Sequence, residues 1–176
     1  IGPALRGAAE RLDADIVAVP TSFETTIEAQ RLGIPLRSMN DPEIAEGLDL
    51  AIDGADEVDE RDLSLIKGGG GALTREKMVE YRGKVLFVIV DESKLSQRLG
   101  TRFPIPVECI PDALAPVVRD LAALGGRPVL RMAQKKAGPV VTDNGNFIID
   151  LHFDAPSFDP VALETELNRI PGVLEN

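Results

Sequence analysis

Short apolar runs alternate with segments of helical periodicity over the first hundred residues. The apolar runs predict strands at 15–20, 36–39, 48–53 and 85–90, and the periodic segments predict helices at 23–32 and 72–81. The run Val85–Val90 is six unbroken apolar residues, which is typical of a strand covered on both faces. Strands that alternate with helices predict βαβ units and a parallel sheet. We therefore expect a Rossmann-like α/β domain here.

The pattern changes after Phe103. Strands are predicted at 107–110, 128–133 and 147–153, with a helix at 112–124, a second helix that begins at Asp159-Pro160, and a last strand from 173. The order βαββαβ is typical of a ferredoxin-like α+β domain. We expect a Rossmann-like catalytic domain at residues 1–103 and a small ferredoxin-like domain at 104–176.

Composition limits the partners of this chain. Its 176 residues carry 29 acidic and 19 basic side chains, so the net charge is −10. This charge disfavours binding to nucleic acid and to anionic membranes, and an anionic ligand would need a local cationic pocket. The chain has one cysteine, Cys109, and one histidine, His152, which excludes an internal disulfide and disfavours a zinc site. Without a signal peptide or a long apolar run, we expect a soluble cytoplasmic protein.

The residues best suited to chemistry follow the predicted strands at 48–53 and 85–90. Asp53 and Asp56 come after the first of these strands, and Lys94 after the second. Between them, Lys67 and the glycines 68–71 precede a helix that carries Glu76. Bare backbone amides and a helix N-terminus can bind an oxyanion. The glycine run matches neither the dinucleotide fingerprint nor the P-loop.

Each of these residues also has an ordinary interpretation. The two aspartates suit a turn, Glu76 suits a solvated helix face, and Lys94 suits the surface. A calcium loop is excluded because Ala55 lies where a second oxygen ligand would be needed. Glu76 lies in the first turns of its helix, where the dipole favours a carboxylate that can accept a proton. Together these residues predict proton transfer on an anionic substrate.

The motifs Asp53-Gly-Ala-Asp56, Lys67-Gly-Gly-Gly70 with Ala72-Leu-Thr-Arg-Glu-Lys77, and Asp91-Glu-Ser-Lys94 resemble those of type A ribose-5-phosphate isomerases. The resemblance continues in four later segments: Pro104-Ile-Pro-Val-Glu108, Leu124-Gly-Gly-Arg-Pro128, Val141-Thr-Asp-Asn-Gly-Asn146 and Ile170-Pro-Gly-Val173. It implies interconversion of ribose 5-phosphate and ribulose 5-phosphate without metal or organic cofactor. It also implies a homo-oligomer, either a dimer or a tetramer.

The resemblance assigns a role to each site residue. Glu76 would be the catalytic base, and the substrate would be bound by Asp53, Gly54, Ala55, Asp56, Lys67, Gly68, Gly69, Gly70 and Lys94. The family's N-terminal phosphate-binding loop has no counterpart in this sequence, and its C-terminal segment is missing as well. We therefore expect a fragment, truncated at both ends, with little activity alone. Two alternatives are a sugar-phosphate sensor domain of a regulator, which would not need Glu76, and an acyl or CoA transferase, for which no CoA groove is evident.

Overall fold

A computed structural model describes residues 6–7, 16–154 and 158–176 of the chain. Helices α1 to α4 span Phe23–Arg31, Leu73–Glu80, Leu114–Ala123 and Pro160–Asn168. Strands β1 to β9 span Ala51–Asp53, Glu57–Asp59, Leu65–Ile66, Leu86–Val88, Leu95–Ser96, Ile105–Cys109, Arg127–Leu130, Phe147–His152 and Val173–Glu175. Across the described ranges, no helix has the length and apolar character needed to cross a bilayer.

The chain divides into two compact units. The first comprises Ile1–Gly54 with Arg75–Ile89, and the second comprises Ala55–Thr74 with Val90–Asn176. The division falls inside helix α2, after Thr74. The domain boundary predicted at residue 103 stays a prediction.

The first unit contains the parallel pairing that the alternating pattern predicts. Strands β1 and β4 run parallel, with Ala51 opposite Leu86 and Asp53 opposite Val88. Helix α1 begins where predicted, because the Ser22 hydroxyl accepts a hydrogen bond from the Thr25 amide at 3.1 Å. The mixed α/β architecture with parallel strands is therefore confirmed.

Three strand predictions in the first unit need correction. The segments at 15–20 and 36–39 contribute one parallel bridge, Ala18 to Leu36, and residue 15 lies outside the described residues. The segment 85–90 forms only the short strand β4, and Phe87 and Ile89 are 56% and 59% exposed. Among the described residues β4 pairs only with β1, so the expectation of a strand covered on both faces is wrong for this chain.

In the second unit, strands β6 to β9 form the predicted ferredoxin-like sheet. Their order is β7-β8-β6-β9, and every neighbouring pair is antiparallel. Helices α3 and α4 follow β6 and β8, which completes the βαββαβ order and confirms it. Helix α4 begins where expected, and Asp159 caps it, since its Oδ1 accepts from the Ala162 amide at 2.8 Å. A separate three-stranded sheet has the order β3-β2-β5.

The ferredoxin-like sheet has two faces of different chemistry, because side chains alternate along a strand. One face carries the apolar core, formed by Ile105, Val107, Cys109, Ile149 and Leu151 with Val117, Leu121, Leu163 and Leu167 of the helices. The intervening positions of β6 and β8 include two carboxylates, Glu108 and Asp150. This second face contacts the glycine loop, residues 68–71. A Cβ on Gly71 would lie 3.2 Å from Ile148, and a Cβ on Gly68 would lie 3.2 Å from Pro106.

Candidate active site

The predicted site residues are distributed over both units. Asp53, Gly54 and Glu76 belong to the first unit, and the others belong to the second. Each group is described within its own unit.

Asp53 lies at the carboxyl end of β1, the end at which parallel α/β sheets bind ligands. Its side chain is 8% exposed, and its Oδ1 accepts a hydrogen bond from the Gly54 amide at 2.7 Å. Its carbonyl accepts from the Ile89 amide at 2.8 Å, which ties this strand end to the end of β4. The backbone around the carboxylate is therefore fixed by local contacts.

Glu76 lies in the first turn of α2 and is partly buried. The neighbouring Arg75 guanidinium stacks over the Phe23 ring, 5.6 Å from its centroid. An acid in the first turn is stabilised as a carboxylate by the helix dipole. The structure therefore places Glu76 where the sequence analysis expected it.

The glycine loop of the second unit is held in one conformation by Asp56. The Gly69 amide donates to Asp56 Oδ2 at 2.6 Å, and the Gly71 amide donates to the Gly68 carbonyl at 3.0 Å. A Cβ on Gly69 would lie 2.4 Å from Asp56 Oδ1, so only glycine fits there. Gly68 and Gly71 have φ angles of +93° and +82°, which favour glycine as well. These contacts and φ angles define the conformation of the loop, and Asp56 is one of the residues that hold it.

Lys94 and Lys67 are both partly buried in the second unit. Lys94 ends a short 3₁₀ turn, Glu92–Lys94, whose first amides are capped by Asp91. Asp91 accepts from the Ser93 amide at 2.8 Å, and its hydrogen bonds to Ser93, aided by the charge of Lys94, lower the pKa of its carboxyl group. The cap fixes the backbone that presents Lys94.

Arg131 is a contact of the glycine loop that the sequence analysis missed. It follows β7, and its Nη1 donates to the carbonyls of Gly68 and Gly69 at 3.1 and 3.0 Å. Its Nε donates to Asp150 Oδ2 at 2.9 Å, and its Nη2 pairs with the other oxygen. Both side chains are more than four-fifths buried. Asp150 could have indicated that such a partner exists, because it is a charged residue inside an apolar strand and buried charges need partners.

Glu108 is a second residue that the sequence analysis missed. It is fully buried, and in the described part of the chain its hydrogen-bond partners are uncharged. Its Oε2 accepts from the Thr74 hydroxyl of α2 at 2.6 Å. Its Oε1 accepts from Thr142 Oγ1 at 2.8 Å and Asn146 Nδ2 at 2.9 Å, with Asn144 Nδ2 at 3.3 Å. Glu108 therefore connects the first turn of α2 to the turn before β8.

Glu57 is likewise a buried glutamate whose carboxylate accepts several hydrogen bonds. It is fully buried, and it accepts hydrogen bonds from Thr101 Oγ1 and the Gly100 amide, both at 2.9 Å. Burial alone would raise the pKa of Glu57, but hydrogen bonds from Ser96, Thr101 and the backbone together hold it below its usual value. Glu57 therefore anchors β2 as a carboxylate, directly after Asp56.

Within the ranges that the structure describes, no group of three or more His, Cys, Asp or Glu side chains is arranged to hold a metal ion. Each unit instead presents carboxylates at strand ends or at the start of a helix, and the second adds two lysines and a glycine loop. Such groups suit an enzyme that moves protons on an anionic substrate.

The comparisons with known proteins define the class more closely. The profile of the family described as ribose 5-phosphate isomerase A (phosphoriboisomerase A) matches residues 17–176. The chain belongs to the ribose-5-phosphate isomerase A family, a family of isomerases. It is 56% identical over 163 residues to ribose-5-phosphate isomerase A of Thermosynechococcus vestitus, which covers 93% of this chain and 67% of that protein. It thus spans about two thirds of the length of the curated relatives it matches.

Two solved structures show the same fold. The ribose 5-phosphate isomerase A of Methanocaldococcus jannaschii superposes with a TM-score of 0.90 at 45% identity, and the match covers 99% of this chain and 76% of that one. A D-ribose-5-phosphate isomerase in complex with phospho-erythronic acid gives a TM-score of 0.90 at 44% identity with the same coverage. The resemblance predicted from the sequence motifs is therefore confirmed at the level of the family.

Proposed function

We propose that the protein carrying this chain interconverts D-ribose 5-phosphate and D-ribulose 5-phosphate, as an enzyme of the non-oxidative pentose phosphate pathway. The observation that carries this proposal is the family match across residues 17–176, which includes Glu76 and the glycine loop in their predicted local structures. A sensor domain would bind the sugar phosphate without turnover and would not need Glu76.

In the proposed reaction, Glu76 removes the proton from C2 of the open-chain aldose, next to the C1 aldehyde. The electron pair forms the C1–C2 double bond of a cis-enediolate, and the aldehyde oxygen takes the negative charge. Glu76 then returns the proton to C1, while the hydroxyl proton of the C2 oxygen passes to the C1 oxygen, so that C2 carries the ketone and C1 the hydroxyl group. One carboxylate performs both transfers, so no co-reactant is consumed.

The enediolate oxygen needs hydrogen-bond donors that are already in place. We assign this role to Lys94 and to amides of the glycine loop. Asp53 would handle hydroxyl protons or ring opening. The remaining substrate-binding assignments are Gly54, Ala55, Asp56, Lys67, Gly68, Gly69 and Gly70. The hydrogen bond between Asp56 and Gly69 supports an indirect role for these two residues, in which they shape the loop.

We further propose that the enzyme works without metal or organic cofactor, in the cytoplasm, as a homo-oligomer. Supporting the first point, the proposed chemistry requires only side chains and backbone amides of this chain.

The test is Glu76→Gln in the full-length protein, with ribose 5-phosphate as substrate. The variant keeps the shape of the side chain but cannot accept the proton, so kcat should fall by about 10²–10⁴-fold. Glu166→Gln, at an exposed glutamate of α4 that pairs with Arg169, is the matched control and should retain wild-type kcat. If Glu76→Gln keeps more than about a tenth of wild-type kcat, Glu76 is not the base. If the wild type binds the substrate without turnover, the sensor interpretation is correct.

A further inference from the structure

Arg131 binds the carbonyl groups of two successive peptides of the glycine loop, so both carbonyls point toward it. Its Nη1 binds the carbonyls of Gly68 and Gly69 together. In a trans peptide the carbonyl and the amide of the next residue point in opposite directions. The amides of Gly69 and Gly70 must therefore both point away from Arg131, since these peptides are trans.

These two amides have different surroundings. The Gly69 amide donates to Asp56 Oδ2 at 2.6 Å. Asp56 and Arg131 therefore bind opposite sides of this peptide, as its trans geometry requires. The Gly70 amide has no hydrogen-bond partner among the described residues. Gly70 is exposed, and no atom lies within 4 Å of the position that its Cβ would occupy. The loop thus leaves the amide of an exposed glycine, on the side away from Arg131, without a hydrogen-bond partner among the described residues.

Holding the loop this way requires an arginine with a fixed orientation. The pair formed by Nε and Nη2 with the two oxygens of Asp150 fixes the plane of the guanidinium. The remaining nitrogen, Nη1, then donates to the two carbonyls. A lysine could not reproduce this, because a single ammonium lacks the planar fork.

We propose that Arg131, oriented by Asp150, is a positioning residue of the active site. It turns the Gly69–Gly70 peptide so that the Gly70 amide donates to an anionic oxygen of the bound sugar phosphate. The proposal rests on the proposed function for the identity of the ligand. The positioning itself rests on contacts within the second unit.

The test uses the full-length protein labelled with ¹⁵N, and phospho-erythronic acid as the ligand. In the wild type, adding the ligand should move the Gly70 amide proton resonance downfield, as a new hydrogen bond does. In Arg131→Lys that response should be lost, and the dissociation constant should rise by about tenfold or more. Arg169→Lys is the matched control, because Arg169 also pairs with a carboxylate in the second unit but is 70% exposed. It should behave as the wild type.

Asp150→Asn provides a second variant in case Arg131→Lys fails to fold. It keeps the arginine but removes the charge that orients it, so we expect a smaller rise in the dissociation constant, about threefold to tenfold. A Gly70 amide that does not respond in a wild type that binds the ligand would overturn the proposal. So would wild-type affinity in either folded variant. The measurement needs no turnover, so a wild type that binds the ligand but lacks isomerase activity would count against the proposed function alone.

Discussion

Replacing Glu108 tests whether the polar face of the ferredoxin-like sheet stabilises the fold through its hydrogen bonds. In Glu108→Leu, the buried Thr142 and Asn146 side chains and the Thr74 hydroxyl lose their acceptor. Leaving a buried polar group unpaired costs about 1–3 kcal/mol, so two or three of them give a loss of about 2–9 kcal/mol. In Glu108→Gln, the amide oxygen can keep Thr142 and Asn146, while the Thr74 hydroxyl rotates to accept from the amide nitrogen. Only the charge assistance is lost, for about 1–2 kcal/mol.

Urea unfolding of the full-length protein at pH 7, followed by far-UV circular dichroism, measures both losses. Glu166→Gln, at an exposed pair, should stay within about 0.5 kcal/mol of the wild type. We expect the control to be the most stable of the three variants, Glu108→Gln to be less stable, and Glu108→Leu to be the least stable. Equal stability of the leucine and glutamine variants would refute the reasoning, and so would a leucine variant more stable than the wild type. The first result would mean that the donors left unpaired in the leucine variant cost nothing, and the second that burying the carboxylate costs more than its hydrogen bonds return.

Three further predictions concern other parts of the structure. Gly69→Ala should lower both Tm and kcat/KM because its Cβ would overlap a carboxylate, whereas Gly70→Ala should keep the wild-type Tm; equal Tm values would contradict the loop geometry. Lys94→Ala should lower kcat/KM at least tenfold, and an equal loss in kcat would assign Lys94 to the enediolate rather than to ground-state binding; unchanged kinetics would make it a surface residue. Asp59 has its pKa lowered to about 2, chiefly by hydrogen bonds from Arg61. Because the folded pKa lies below the unfolded one, this stabilisation is present above about pH 4 and is lost as the pH falls toward 2, so Asp59→Asn should show a shallower decline of Tm over that range; identical slopes would contradict it.

The sequence predicted those parts of the fold that depend on residues close together in the chain. The starts of α1 and α4 could be predicted because the cap of each helix, Ser22 or Asp159, bonds to an amide only three residues away. The βαββαβ order could be predicted because each element of that domain buries its own apolar side. The burial of 85–90 could not, because exposure depends on which other strands and helices lie beside β4.

The candidate site was predictable only in part, for the same reason. Asp53, Glu76 and the glycine loop lie near one another in the sequence, so spacing and residue type could mark them as candidates. Arg131 contacts carbonyls 62 and 63 residues away, and nothing local to it marks that contact. Asp150 was a visible exception to the apolar pattern, but the exception alone does not identify its partner.

The alternation of the two faces in β6 and β8 has a consequence for how this protein tolerates change. Adjacent residues in these strands serve different purposes, since Val107 and Ile149 pack in the apolar core while Glu108 and Asp150 hold the segment around the glycine loop. Loss of turnover per folded molecule should therefore recur with a period of two residues, at positions such as Glu108 and Asp150, whereas substitutions at Val107 and Ile149 should lower only the amount of folded protein. A variant library scored separately for the amount of folded protein and for activity per molecule would separate the two faces without any coordinates.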